Sequence, residues 1–230
     1  MKLSRRSLFL AGAALIASSA SSQSVAQQGD DLLAIMGDDG QPVSNFKLPS
    51  EPSLANLRGV LWEGPESADV ILIEFFDYNC PFCRKASGDL EAIVGKDKAL
   101  RIGLVNNAVL SLGSVLSARV QQAVLKLYGP TKARAYHIKM LARRGVNDGA
   151  TAMQTCQELG LDIKKVEDAA NGDDVLAVLN RQRQTAAELG LIATPSFALN
   201  GVGILGYPGP RATKKMVVAA RSCDMPACGR

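Results

Sequence analysis

The run "ADVILIEFFDY", residues 68 to 78, leads without a break into "NCPFCRKASGDLEAIV". The first stretch is continuous, largely apolar and rich in branched and aromatic residues, which predicts a central strand covered on both faces. In the second, Phe82, Ala86, Leu90 and Ile93 recur at helical spacing with charges between them, which predicts a helix. A strand turning at once into a helix points to an α/β fold. It also puts Cys80 just before the helix and Cys83 in its first turn.

That position has chemical consequences. Backbone N–H groups at a helix N-terminus have no intrahelical partner and the macrodipole is positive there, so a thiolate at Cys80 is favoured over the thiol. Thiols in such motifs have pKa values of about 3.5 to 7, against roughly 8.5 for free cysteine. Stabilising the thiolate favours the reduced pair, which makes the disulfide an oxidant. On this reading Cys80 attacks and carries the mixed disulfide, and Cys83 resolves it. The alternatives are a zinc clip and a structural staple. Zinc wants four ligands, and the second cysteine pair, Cys223 and Cys228 in "CDMPAC", is separated from the first by most of the chain. A bridge across two intervening residues closes so small a loop that its entropic benefit is modest.

The remaining elements follow from pattern. "ALRIGLV", residues 99 to 105, reads as a further strand. From about Ser111 to Gly190 the chain is mostly helical, with one apolar stripe at Leu116, Val120, Ala123, Val124 and Leu127 and another at Ala152, Met153, Cys156 and Leu159. Glycines and Pro130 separate the segments. "ATPSFALNG" reads as a strand entered through Pro195 and left by an Asn-Gly turn; "VGILGY" is its partner, and "GPRATKKMVVAARSC" closes as a helix.

The N-terminus reads as a signal peptide over residues 1–26. Lys2, Arg5 and Arg6 precede a short apolar run from Leu8 to about Ala20, and Ser24-Val25-Ala26 offers a small-x-small cleavage site. The run is too short to span a bilayer, which needs roughly 20 apolar residues. "SRRSLFL" is similar to a twin-arginine signal, although the general secretory route also uses positively charged leaders. Removing these residues takes away three positive charges and no acid, so the formal +4 becomes +1. No basic patch interleaved with aromatics argues for nucleic acid. Export predicts the periplasm and makes disulfides permissible. Residues 27–55, with "LLAIM" at 32 to 36, read as an N-terminal arm. The cluster fits either a small helix packed on the domain or on a second subunit, or a frayed terminus.

"EFFDYNCPFC", followed about 110 residues later by "TPSF", resembles the DsbA-like branch of the thioredoxin-fold thiol–disulfide oxidoreductases. The resemblance covers roughly Val60 to Ala220 and implies a thioredoxin-like fold with an inserted helical subdomain, within a domain over 56–230 whose insertion runs from about 108 to 190. It implies Pro195 as a cis-proline facing the cysteines, where composition alone gives a trans turn proline. Thr194 is implied as the residue whose backbone meets a bound substrate strand. Glu74 falls where the family places an acid beneath the resolving sulfur. A buried carboxylate of raised pKa there serves as a proton relay for Cys83, the alternative being a plain acid at a strand edge.

The resemblance further implies a protein thiol–disulfide oxidoreductase acting on reduced or misoxidised exported proteins, foremost as a dithiol oxidase. It needs no cofactor and is regenerated by a membrane redox partner. The rivals are a reductase or isomerase kept reduced, and a peptide-binding chaperone module without turnover. The best-known relatives carry a histidine between the cysteines where this chain has Pro81-Phe82. A higher Cys80 pKa and a less oxidising pair are therefore expected. Cys223 and Cys228 are a candidate structural disulfide, or else a second redox pair. Cys156 reads as a buried apolar side chain, His137 as a satisfied or surface histidine, and Trp62 as packing ahead of the central strand.

Overall fold

The computed structural model describes residues 32–49 and 54–228; the expected signal peptide lies outside them. The run expected to be a central strand forms β3, Val70–Phe76, and the cysteine motif opens α1, Pro81–Lys96. β4, Leu100–Asn106, follows and pairs in parallel with β3. Two short strands precede them: β1, Asn45–Lys47, and β2, Leu61–Glu63. After four helices come β5, Ser196–Leu199, β6, Val202–Leu205, and the closing helix α6, Pro210–Cys223. The six strands lie in the order β1-β6-β5-β3-β4-β2, and every pairing except β3 with β4 is antiparallel.

β3 is buried on both faces, as its unbroken apolar run requires. Leu72 and Phe76 point into the larger core with Ile102, Leu104 and the α1 residues Ala86, Leu90 and Ile93. Ile73 and Phe75 point the other way, onto Val105, Ala186, Leu189 and Leu191. Glu74 shares the alternating face of Leu72 and Phe76, and that face looks toward α1.

The helical insertion runs between β4 and β5. Its elements are α2, Leu112–Ala142, α3, Gly149–Glu158, α4, Ile163–Ala170, and α5, Asp173–Glu188. α2 is two helices run together. Gly129, at φ 76°, breaks the first, and Pro130 opens the second, a position where its missing N–H costs nothing. Asp148 and Asp162 cap α3 and α4 by accepting from backbone N–H groups.

The arm departs from both expectations. Over residues 32 to 36 burial alternates, with Ile35 buried, Leu33 partly buried and Leu32, Ala34 and Met36 exposed. That is the period of extended chain, not of a helix, and the segment is tied down. The Asn45 side chain accepts from the Leu33 N–H and donates to the Leu33 and Val43 carbonyls, while β1 adds to the sheet beside β6. At the other end, Cys223 and Cys228 form a disulfide, S–S 2.13 Å and Cα–Cα 5.9 Å, just after α6. Cys156 is fully buried. Trp62 lies on β2 with the Arg101 guanidinium 4.4 Å from its ring.

Candidate functional site: a dithiol at a helix N-terminus

Cys80 is the N-cap residue of α1, in extended conformation, with Pro81 at the first helical position. The loop before it is rigidly held. Asp77 accepts from the Asn79 N–H at 2.7 Å through one carboxylate oxygen, and from the Val109 and Leu110 N–H groups through the other. Asn79 exchanges hydrogen bonds with the backbone of Asn147, and the Asn147 side chain donates to the Tyr78 and Met140 carbonyls. The helical insertion thereby clamps the cysteine loop. Sequence reasoning missed Asp77, Asn79 and Asn147. The only local signal is the "DYN" turn chemistry before the cap, because Asn147 lies 68 residues from Asn79.

Both thiols are buried; Cys80 is 3% exposed and Cys83 not at all. The Cys83 N–H donates to the Cys80 sulfur at 3.4 Å. Across from them the Thr194–Pro195 peptide bond is cis, and the Cys80 thiol donates to the Thr194 carbonyl oxygen at 3.0 Å. The Thr194 hydroxyl is buried and otherwise unpartnered, so it becomes a donor to the sulfur once Cys80 ionises. The structure thus brings Cys80, Cys83, Thr194 and Pro195 together. It leaves the Cys223–Cys228 bridge elsewhere, its sulfurs against the Ala219 and Met225 carbonyls.

These contacts split the two thiols. The Cys80 pKa is lowered from 9.0 to about 6, chiefly by the hydrogen bond from the Cys83 thiol. Burial opposes this, while the Cys83 N–H, the Thr194 hydroxyl and the Phe82 N–H add to it. Cys83 moves the other way. Burial raises its pKa far above the ordinary thiol range, and its bond to Cys80 and the nearby Glu74 carboxylate push in the same direction. At pH 7 the ionised form of Cys80 is therefore favoured while Cys83 keeps its proton.

Glu74 is 1% exposed, and its Oε1 has no hydrogen-bond partner. Its pKa is pushed up to about 8, first by burial and then by the charges of Cys80 and Glu63. His137 is buried, not at the surface, with Nδ1 3.4 Å from the Tyr78 hydroxyl and its ring edge-on to Phe76. Among the described residues no group of three or more His, Cys, Asp or Glu is placed to hold a metal.

A family model described as "Thioredoxin" matches residues 58–218. The chain belongs to the thioredoxin family. Its fold is that of the DsbA-like thiol–disulfide oxidoreductases. A thioredoxin-like oxidoreductase from Silicibacter pomeroyi is 27% identical, with a TM-score of 0.70 over 76% of this chain and 99% of that one. The thiol-disulfide exchange protein alpha-DsbA2 from Wolbachia pipientis is 21% identical, with a TM-score of 0.65 over 70% of this chain and 87% of that one, and shares the fold. The chain also matches a Na(+)/H(+) antiporter NhaA of Herminiimonas arsenicoxydans, 26% identical over 178 residues, 75% of this chain. It spans 27% of that relative's length, and among the described residues no helix is long and apolar enough to cross a membrane.

Proposed function

We propose that the protein is an exported oxidoreductase that exchanges disulfides with other exported proteins through Cys80 and Cys83, working as a dithiol oxidase. The observation that carries the reading is the placement of the Cys80 sulfur at the N-cap of α1, 3.0 Å from the carbonyl oxygen beside cis-Pro195. A substrate thiolate attacks Cys80, Cys83 leaves as the S–S bond breaks, and the substrate's second thiolate then releases Cys80. A leaving thiolate already favoured by its hydrogen bonds makes the last step downhill.

The surroundings support an unfolded polypeptide as substrate. Phe82 is exposed between the cysteines, and Val109, Leu110, Leu112, Val146 and Ile192 are exposed on the segments tied to the cysteine loop or leading into the cis-proline. Exposed apolar side chains on these segments suit contact with an apolar stretch of polypeptide. Val109 and Ile192 also share a cleft of about 330 Å³ with Asn107, Asn180 and Arg183. The free backbone of an extended substrate would pair beside Thr194, and Glu74 would move the Cys83 proton. Export rests on the leader at residues 1–26, periplasmic residence follows from it, and a membrane redox partner is the family's expected means of reoxidation.

The arm favours oxidase over isomerase. An isomerase ordinarily needs a dimerising arm, whereas residues 32–49 here are spent on the protein's own sheet edge. A non-catalytic chaperone has no use for the opposed ionisation of two thiols. The test is oxidative refolding of a reduced, unfolded model protein. Cys80→Ser is expected to abolish activity, and Cys83→Ser to accumulate a mixed disulfide at Cys80. Full refolding activity in Cys80→Ser would instead support the binding module.

A further inference from the structure

Cys83 cannot react without moving a proton, and Glu74, the group beside it, is sealed from solvent. Glu74 therefore needs an outlet. On β3 it lies on the face shared by Leu104 and Ile102 of β4, and Ile102 pairs with Glu63 of β2. The two carboxylates thus flank one small cavity, lined also by Ser87, Leu90, Glu91 and His137. The cavity measures about 10 Å³, which is the least space that holds a single water molecule. Its inner wall carries the unpartnered, fully buried Glu74 Oε1. At its outer wall Glu63, with a side chain 8% exposed, is held by Arg134 Nε at 3.2 Å. Arg134 is 39% exposed and also grips Glu91 of α1 at 2.9 Å.

We propose that Glu63 is the outer carboxylate of a proton route that connects Glu74, through one water in this cavity, with solvent at the Arg134–Glu91 pair. The inference rests on the reading of Glu74 as the proton relay for Cys83. In the oxidising direction a substrate thiolate bonds to the Cys80 sulfur as the Cys80–Cys83 bond breaks. The electron pair leaves on Cys83, which takes the Glu74 proton; Glu74 is then reprotonated from Glu63 by way of the water, and Glu63 from solvent. In the reverse step Cys83 gives its proton to Glu74 and attacks the Cys80 sulfur of the mixed disulfide; the Cys80–Cys83 bond forms as the bond to the partner sulfur breaks, and the electron pair leaves on the partner thiolate. Glu63 touches neither sulfur, so it is a positioning residue for the proton. Burial raises its pKa despite Arg134, which keeps it able to carry one.

The charged and titratable groups facing the pair come from several elements. Cys80 and Cys83 face Glu74 from the start of α1, and Tyr207 from the segment before α6. His137 lines the cavity from α2 and stays neutral, its pKa lowered to about 3 by burial and Arg134. Arg134 and Glu91 face Glu63.

The test follows the release of glutathione from a Cys80 mixed disulfide by Cys83, from pH 5.5 to 8.5, in the full protein. Glu63→Gln leaves Arg134 paired with Glu91, and Ser87→Val fills the cavity while keeping both carboxylates. Each is expected to shift the pH profile and to slow release by at least about tenfold, the full loss of proton-transfer catalysis being worth ~10²–10⁴. The Cys80 thiolate absorbance should stay where it is in both, which a merely structural loss would not allow. Release within twofold of the parent protein across the pH range, in either variant, overturns the proposal. Should Glu63→Gln not fold, Ser87→Val decides by the same criterion. Glu74→Gln separates the two readings. Slow release there with normal release in the other two removes Glu63 alone, and normal release in Glu74→Gln removes the relay itself together with this route.

Discussion

At the residue scale, two neighbouring thiols are driven in opposite directions by their surroundings. Cys80 collects donors from Cys83, Phe82 and Thr194, whereas burial, its own bond to Cys80 and the nearby Glu74 all hold the proton on Cys83. The value of about 6 for Cys80 falls inside the range for such motifs, about 3.5 to 7, and residue 82 is Phe where the best-known relatives have histidine. Phe82→His adds a cationic donor at the helix terminus. It should lower the Cys80 pKa, read from thiolate absorbance, and raise the reduction potential of the pair. An unchanged titration would show that residue 82 has no part in holding the thiolate.

His137 gives a second prediction at this scale. Its pKa falls from 6.5 to about 3 because burial disfavours the charged ring. Between those values the unfolded chain binds the proton and the folded one does not. Its contribution is therefore intact above pH 6.5 and is lost as pH drops toward 3, by up to about 1.4 kcal/mol per pH unit. In His137→Phe, unfolding free energy measured by urea titration should fall less steeply over that window than in the parent protein. Equal slopes would contradict the neutral, buried assignment.

At the scale of elements, the tail disulfide is a local staple by its contacts. Its loop is short, so the chain-entropy model assigns it about 2 kcal/mol. Replacing both Cys223 and Cys228 with serine should lower the midpoint of thermal unfolding by several degrees and leave the redox chemistry of Cys80 intact. Loss of thiol exchange in that variant would revive the second redox pair. What the sequence made legible at this scale was whatever is local. β3 and α1 announce themselves by an unbroken apolar run and then a helical period, and Pro130 marks the break in α2. β1 and β2, at three residues each, are too short to display a period, and they form only because β6 and β4 offer them an edge. "LLAIM" misled for a related reason: five consecutive apolar or small residues fit either period, and the choice was made by Asn45, twelve residues on from Leu33. The site divides in the same way. Cys80, Cys83, Pro195 and Glu74 stand in recognisable strings, while the Asn79–Asn147 clamp and the Glu63–Arg134 pair join segments about 70 residues apart, so no local pattern in the sequence pairs their members.

At the scale of the whole molecule, the helical insertion packs α5 against one face of β3 and β4, clamps the cysteine loop through Asn147 and supplies Arg134 to the carboxylate cavity. β5, entered through cis-Pro195, pairs directly with β3 and so brings the proline beside the cysteines. Exposed apolar side chains near the thiols suit a polypeptide substrate, and the arm pairs with the protein's own sheet at β6. Under the proposed function these features are those of a net oxidase of exported proteins. The most direct measurement is the redox state of Cys80 and Cys83 in living cells, fixed by acid quench and read by alkylation. The account predicts that most molecules carry the Cys80–Cys83 disulfide; a population held mainly as the dithiol would contradict it and make the protein a reductase or isomerase.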